Sequence, residues 1–316
     1  MRVAALDLGS NTFLCLIAEV DQNQILEVVC DEVQVVRLGQ GMSKSDPSTK
    51  PKFHPEALLR AEKCLQDFSQ LIQRHRPEKI LAMATSAARD ASNSQELFEI
   101  CRKLSIPLEI IPGGLEAQIT FQGSISGNTQ RAENFCVIDI GGGSTEIILG
   151  NQKQVRLAKS LNIGCVRLTE KFLPFQPATE LQRQDLQKQI ESEIGSFRQQ
   201  VSAADLNPQP LALAVAGTPT ELARIEFGAF DPKKIDGFQL TQQKLQQRFE
   251  EFKICSSEQI QQRYGVSTGR ADLILVGVMI LQEFCRQFGF EAVEVSTRGV
   301  RYGVALEIEK RERNKK

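Results

Sequence analysis

Asp7-Leu8-Gly9-Ser10-Asn11-Thr12-Phe13-Leu14-Cys15-Leu16-Ile17 aligns without gaps on Asp139-Ile140-Gly141-Gly142-Gly143-Ser144-Thr145-Glu146-Ile147-Ile148-Leu149. Each copy follows a short apolar run, residues 3–6 and 136–138, of the kind that forms a buried strand. Each then turns at an Asp followed by small residues and continues into a second apolar run, with no long amphipathic pattern behind it. The reading is strand, loop, strand, which argues against a P-loop and against a dinucleotide-binding fingerprint, since both of those open a helix. A repeat with a period near half the chain predicts two domains of common design facing one another. The boundary is expected within residues 123–134, where Gly, Ser, Asn and other polar residues cluster.

Working outward, Leu58, Ala61, Leu65, Phe68 and Ile72 recur at helical spacing after Pro55. Leu186, Ile190, Ile194, Phe197 and Val201 do so after Thr179-x-x-Gln182, a capping-box start signal. Residues 80–84, 108–111, 211–216 and 293–295 read as further strands, so strands and helices alternate and the class is α/β. The Gln-rich stretch 239–247 predicts a solvated helix face, and the basic residues 310–316 a frayed terminus.

Composition narrows the chemistry. The 316 residues are enough for two domains. Lys plus Arg number 38 against 39 Asp plus Glu, so no global field draws the chain to DNA, and a polyanion must be held by local positive potential. Residues 1–20 lack both a basic leader and an uninterrupted apolar span, which predicts a cytoplasmic protein with no membrane partner. The eight cysteines are scattered without a C-x-x-C pair and read as reduced core residues. Only His54 and His75 could offer imidazole, and neither sits in a catalytic pattern, so acid–base work falls to carboxylates.

Gly141, Gly142, Gly143 and Ser144 form a turn whose backbone amides can converge on phosphate oxygens, because glycine tolerates φ > 0 and places no Cβ in the way. A plain hairpin turn would use the same residues. The aligned Gly9, Ser10, Asn11 and Thr12, again behind an Asp, favour phosphate. Asp7 and Asp139, at strand ends, could hold Mg²⁺ directly or through water. Glu146, whose counterpart is Leu14, could bind metal, orient water or simply be an exposed strand residue. Thr85 and Ser86 with Arg89 suit phosphate, and could equally start a helix. Glu116 follows Pro112-Gly113-Gly114 at a predicted helix N-terminus, where a carboxylate is also favourable to the dipole.

In this order the segments resemble the Ppx/GppA family of exopolyphosphatases and guanosine pentaphosphate phosphohydrolases, within the actin-like, sugar-kinase and heat-shock ATPase superfamily. The resemblance runs through residues 5–12, 36–41, 84–93, 112–123, 137–146, 160–168, 216–218, 269–272 and 296–304. It implies two ribonuclease-H-like domains around a cleft, at residues 1–127 and 128–298, with residues 299–316 as a terminal helix packing back on the first. It implies Glu116 as the water-activating base and Glu146 as a second catalytic acid, with Asp139, Glu146 and Asp7 around Mg²⁺ or another divalent cation. It implies polyphosphate or guanosine penta/tetraphosphate as ligand, held by Gly9, Ser10, Asn11, Thr12, Thr85, Ser86, Arg89, Gly141, Gly142, Gly143 and Ser144, and a homodimer as the assembly. Leu115 departs from the family's usual second Glu, and Pro112-Gly113-Gly114 from its common Ser-Gly-x. Longer members add a helical domain with an HD metal motif, which a chain of this length with two histidines is not expected to contain. Two rivals remain: a kinase of the same superfamily, with a nucleoside pocket near Ala216-Gly217-Thr218, and a silent polyphosphate or alarmone binder, suggested by Leu115.

Overall fold

The structure, a computed structural model, describes residues 1–42, 50–127 and 132–315. It divides into two compact units, Met1–Asn128 with Arg298–Lys316, and Thr129–Thr297.

The first unit opens with β1 (Arg2–Leu8), β2 (Thr12–Asp21) and β3 (Gln24–Val35), followed by α1 (Pro55–His75), β4 (Lys79–Ala84), α2 (Ser86–Asp90), α3 (Ser94–Lys103), β5 (Leu108–Ile110) and α4 (Gly113–Ile125). Its sheet runs β3-β2-β1-β4-β5, antiparallel among the first three strands and parallel from β1 through β4 to β5. Alternation along β1 sends Ala4, Leu6 and Leu8 to one face and Val3 and Ala5 to the other. The first face is covered by Leu58, Ala61, Leu65, Phe68 and Ile72 of α1, the helical stripe expected from their spacing. Phe68 is fully buried there, a contribution of about 1.5–3 kcal/mol.

The second unit contains β6 (Asn134–Ile140), β7 (Thr145–Asn151), β8 (Val155–Leu161), α5 (Cys165–Phe172), α6 (Glu180–Arg198), β9 (Leu211–Val215), α7 (Gly217–Phe227), α8 (Pro232–Ile235), β10 (Gln239–Thr241), α9 (Gln242–Phe252), α10 (Ser257–Tyr264), α11 (Ile274–Phe288) and β11 (Ala292–Val295). Its sheet runs β10-β11-β9-β6-β7-β8. β6, β7 and β8 are antiparallel and β6, β9 and β11 parallel, so the plan of the first sheet recurs with β10 added at the edge. α6 begins at Thr179, whose hydroxyl and backbone N–H both engage Gln182. α11 is apolar nearly all round and accordingly lies buried in the core.

The chain then completes the first unit with α12 (Val300–Arg313). Val300, Tyr302, Val304, Ala305 and Ile308 cover the second face of the first sheet together with Ile119 of α4. Where α4 and α12 cross, a Cβ on Gly303 would lie 1.9 Å from the Ile119 carbonyl oxygen, and one on Gly123 would lie 2.2 Å from that of Gly299. Gly123 is therefore a helix-crossing residue and not part of a loop, and residues 128–131 lie outside the described residues.

Two further expectations need correction. Of the Gln-rich stretch, Gln239–Thr241 forms β10, paired antiparallel with β11, because Leu240 is drawn into the core; the helix begins only at Gln242. The basic end is helical to Arg313, because Arg311 bridges Glu307 one turn back and Glu109 of β5. Among the described residues no helix is long and apolar enough to cross a membrane. All eight cysteines are free thiols, and burial pushes the Cys15, Cys64, Cys101, Cys165 and Cys285 thiols up to about 12.

Candidate active site

Both hairpins of the repeat close by the same backbone bond. The Gly9 N–H donates to the Thr12 carbonyl at 3.1 Å and the Gly141 N–H to the Ser144 carbonyl at 3.0 Å. A Cβ at Gly9 would stand 2.9 Å from the Thr12 oxygen, and one at Gly141 would stand 3.0 Å from the Ser144 oxygen. These glycines answer to close approach and not to positive φ, since the left-handed glycines of the described chain lie elsewhere.

Other segments spend the carbonyls of both turns. Ser10 accepts from the Gly39 N–H at 2.8 Å, and Asn11 from those of Val36 and Arg37 at 2.9 and 2.8 Å. In the second turn, Gly141 accepts from the Cys165 N–H at 2.9 Å and Gly142 from the Val166 N–H at 2.8 Å, while Arg167 Nε donates to the Gly143 carbonyl at 2.8 Å. The Ser10 hydroxyl accepts from the Ala87 N–H at 3.2 Å, strapping the first turn to α2.

The acids of the second unit face each other across two strands. Asp139 pairs with Glu146 in the β6–β7 register, as Asp7 pairs with Leu14 in β1–β2. Residues directly opposite share a face, with Cβ atoms about 4.5–5.5 Å apart. Asp139 is 6% and Glu146 1% exposed, and the Ser160 hydroxyl, opposite Glu146 on β8, donates to its Oε1 at 2.6 Å. Two adjoining carboxylates fit a hard cation such as Mg²⁺, which takes one or two protein carboxylates and completes its shell with water or phosphate oxygens. A cage of three or more acidic, His or Cys ligands does not occur among the described residues.

In the first unit, Glu116 stands in the first turn of α4, only 5% exposed. Arg89 Nη1 donates to Glu116 Oε2 at 2.5 Å and to the Ile111 carbonyl at 3.0 Å. Burial raises the pKa of Glu116 above the usual carboxylate value, with the Arg89 charge and hydrogen bond drawing it partly back. Thr85 and Ser86 are buried at the start of α2, where the Thr85 N–H reaches the Leu8 carbonyl at 3.4 Å. The Gly9–Thr12 turn, Thr85–Arg89 and Glu116 thus gather at the carboxyl ends of parallel β1, β4 and β5, the edge at which α/β sheets bind ligands. In the second unit the Gly141–Ser144 turn and Ala216–Thr218 occupy the corresponding ends of β6 and β9. Ala216 holds φ +76°, a costly conformation for a residue with a Cβ. Leu115 packs against the core cluster shared by α4 and α12, which accounts for an apolar residue beside the buried acid.

Three groups had no role in the sequence reading. Ser160 was discernible from strand alternation once Glu146 was chosen. Arg167 and Arg301 lie in the segments 160–168 and 296–304 that carry the family resemblance, which attached no role to either.

A Ppx/GppA phosphatase family model matches residues 16–312. The chain belongs to the Ppx/GppA phosphatase family. Its relatives include exopolyphosphatase 2 of Mycobacterium tuberculosis, 32% identical over 97% of this chain and 98% of the relative. Among solved structures, a Ppx/GppA family member from Aquifex aeolicus matches at 28% identity with a TM-score of 0.79, covering 99% of this chain and 98% of that one. An exopolyphosphatase-like protein matches at 29% identity and a TM-score of 0.89, covering 98% of both chains. This Ppx/GppA protein is therefore an enzyme, a phosphatase of the exopolyphosphatase type, in a family that generally uses divalent cations.

Proposed function

We propose that this Ppx/GppA phosphatase hydrolyses the terminal phosphoanhydride of inorganic polyphosphate, or of guanosine pentaphosphate, with Glu116 as general base and Asp139 and Glu146 holding Mg²⁺. The observation that carries the reading is the pairing of buried Glu116 with half-buried Arg89 at the carboxyl edge of the first sheet. Arg89 favours the ionised, proton-accepting form of Glu116 despite its burial, and burial makes that carboxylate a stronger base than one in water. A terminal phosphate that takes over the Arg89 N–H groups, a favourable two-point contact, leaves Glu116 to accept a proton from water. The water oxygen then bonds to phosphorus as the bridging oxygen leaves with the shortened chain. Mg²⁺, when bound, would offset negative charge on phosphate oxygens.

The test is phosphate release by purified protein from long polyphosphate, short polyphosphate and guanosine pentaphosphate, with and without Mg²⁺, beside ATP plus sugars. Release from none of the three anhydrides, with phosphoryl transfer to a sugar, would replace hydrolysis by kinase chemistry. Tight binding with no turnover would make the chain a binder.

A further inference from the structure

The segment that leaves β3 returns at once to the first turn, where the Val36 and Arg37 N–H groups share the Asn11 carbonyl and the Gly39 N–H takes that of Ser10. A trans peptide holds its N–H opposite its C=O. The Ser10 carbonyl, drawn toward Gly39, therefore turns the Asn11 N–H away from this segment, and the Asn11 carbonyl turns the Thr12 N–H away likewise. Residues 36–39 thus set the direction in which two amides of the turn point. Val36 and Leu38 root the segment in the core, and a Cβ on Gly39 would stand 3.3 Å from that of Ser10.

Between those anchors Arg37 holds φ +55°, left-handed backbone that is costly for a residue with a Cβ. Arg60, in the second turn of α1, clasps the bend. Its Nε donates to the Val36 carbonyl at 2.7 Å, and its Nη2 to the Arg37 carbonyl at 3.2 Å and to Gln40 Oε1 at 3.0 Å. The two carbonyls belong to the peptide planes on either side of the Arg37 Cα, so a single guanidinium bonded to both fixes the strained rotation between them. The second unit manages its turn differently: residues 165–167 take up its carbonyls with no left-handed residue among them, and Arg167 reaches the Gly143 carbonyl directly.

We infer that Arg60 is a positioning residue: by locking the bend at Arg37 it aims the Asn11 and Thr12 amides, so that the first turn meets a phosphate group of the substrate already ordered. This rests on the phosphoanhydride hydrolysis proposed above. Loosening the bend should weaken the hold on phosphate and leave proton transfer at Glu116 alone, which separates KM from kcat.

The experiment compares wild type and Arg60→Met, each also in an Arg37→Gly background. Arg60→Met should raise KM for tripolyphosphate about tenfold and change kcat less than about threefold. Direct titration with inorganic phosphate, which the enzyme cannot consume, should show a similar loss of affinity. Glycine adopts the left-handed conformation without penalty, so in the Arg37→Gly background the same change should cost less than about threefold. A lower melting temperature with unchanged KM and phosphate affinity would make Arg60 a support of the fold and overturn the inference. Equal losses in the two backgrounds would also overturn it, because Arg60 would then not act through the bend. If Arg60→Met does not fold, Arg60→Lys replaces it in the same comparison, since one ammonium cannot span both carbonyls as the guanidinium fork does. A wild type that releases no phosphate from tripolyphosphate would defeat the proposed function, while the phosphate titration still decides the part of Arg60.

Discussion

The β1–β2 and β6–β7 hairpins share register, turn glycine and closing bond, yet one sets Leu14 across from its leading Asp and the other sets Glu146 there. Identical backbone frames thus carry different chemistry, and the difference lies at one cross-strand position. The turn needs a glycine where a Cβ would strike a carbonyl, and both copies keep it. Paired carboxylates, which suit a hard cation, stand opposite one another in the second hairpin and not in the first. The first unit carries the buried Glu116 and its Arg89 instead. Duplication preserves geometry, and side chains divide the labour.

The largest test of that division is Glu116→Gln. Turnover should fall by about a hundredfold or more with KM little changed, the scale of a lost general base. Steady-state kinetics on polyphosphate reads it, and near wild-type turnover would return Glu116 to the role of a helix-terminus acid. Next comes Glu146→Leu, which makes the second hairpin imitate the first. The Mg²⁺ concentration for half-maximal activity should rise about tenfold or more, and adding Leu14→Glu should not restore it. Restoration would mean that either hairpin can hold the cation.

A smaller effect concerns pH. A raised Glu116 pKa means that the base is protonated, and activity lost, as pH falls through that pKa, while activity persists above it. Arg89→Met removes the group that draws the pKa down, so the acid limb of kcat/KM should move to higher pH. An unmoved limb would show that another group titrates there. Smallest is the pair Gly9→Ala and Gly141→Ala. With contacts of 2.9 and 3.0 Å to a backbone oxygen, each should cost about 1–3 kcal/mol, and by similar amounts in thermal unfolding. Tolerance of one but not the other would show that the two turns are less alike than their hydrogen bonds.

The hairpins were legible because a gap-free repeat preserves strand, turn and strand at once. The α6 start was legible because Thr179 and Gln182 make both halves of a local cap. The α/β class and the family followed from such local patterns taken in order. Contacts between distant segments were not legible. Arg89 and Glu116 sit 27 residues apart, and nothing in either motif says that they touch. Asp31 and Arg301 are separated by 270, and an acidic edge strand gives no hint of a partner on the last helix. The stretch 239–247 reads as solvated because its five glutamines outnumber Leu240 and Leu245, and the burial of Leu240 comes from β11 and the surrounding core. The glycines at the turns were found for an incomplete reason, since they serve close approach where left-handed backbone was expected.

The glycine crossing of α4 and α12 also bears on the order of assembly. One face of the first sheet is closed by a helix that leaves the ribosome only after the whole second unit has been made. Until then Val3, Ala5, Leu16 and Ala18 lack part of their cover, and a long loop must close before that contact is gained. The second unit, continuous in sequence, can finish first. Helix α12 therefore acts as a late fastening on the unit that carries Glu116, gained only after the second unit has been made.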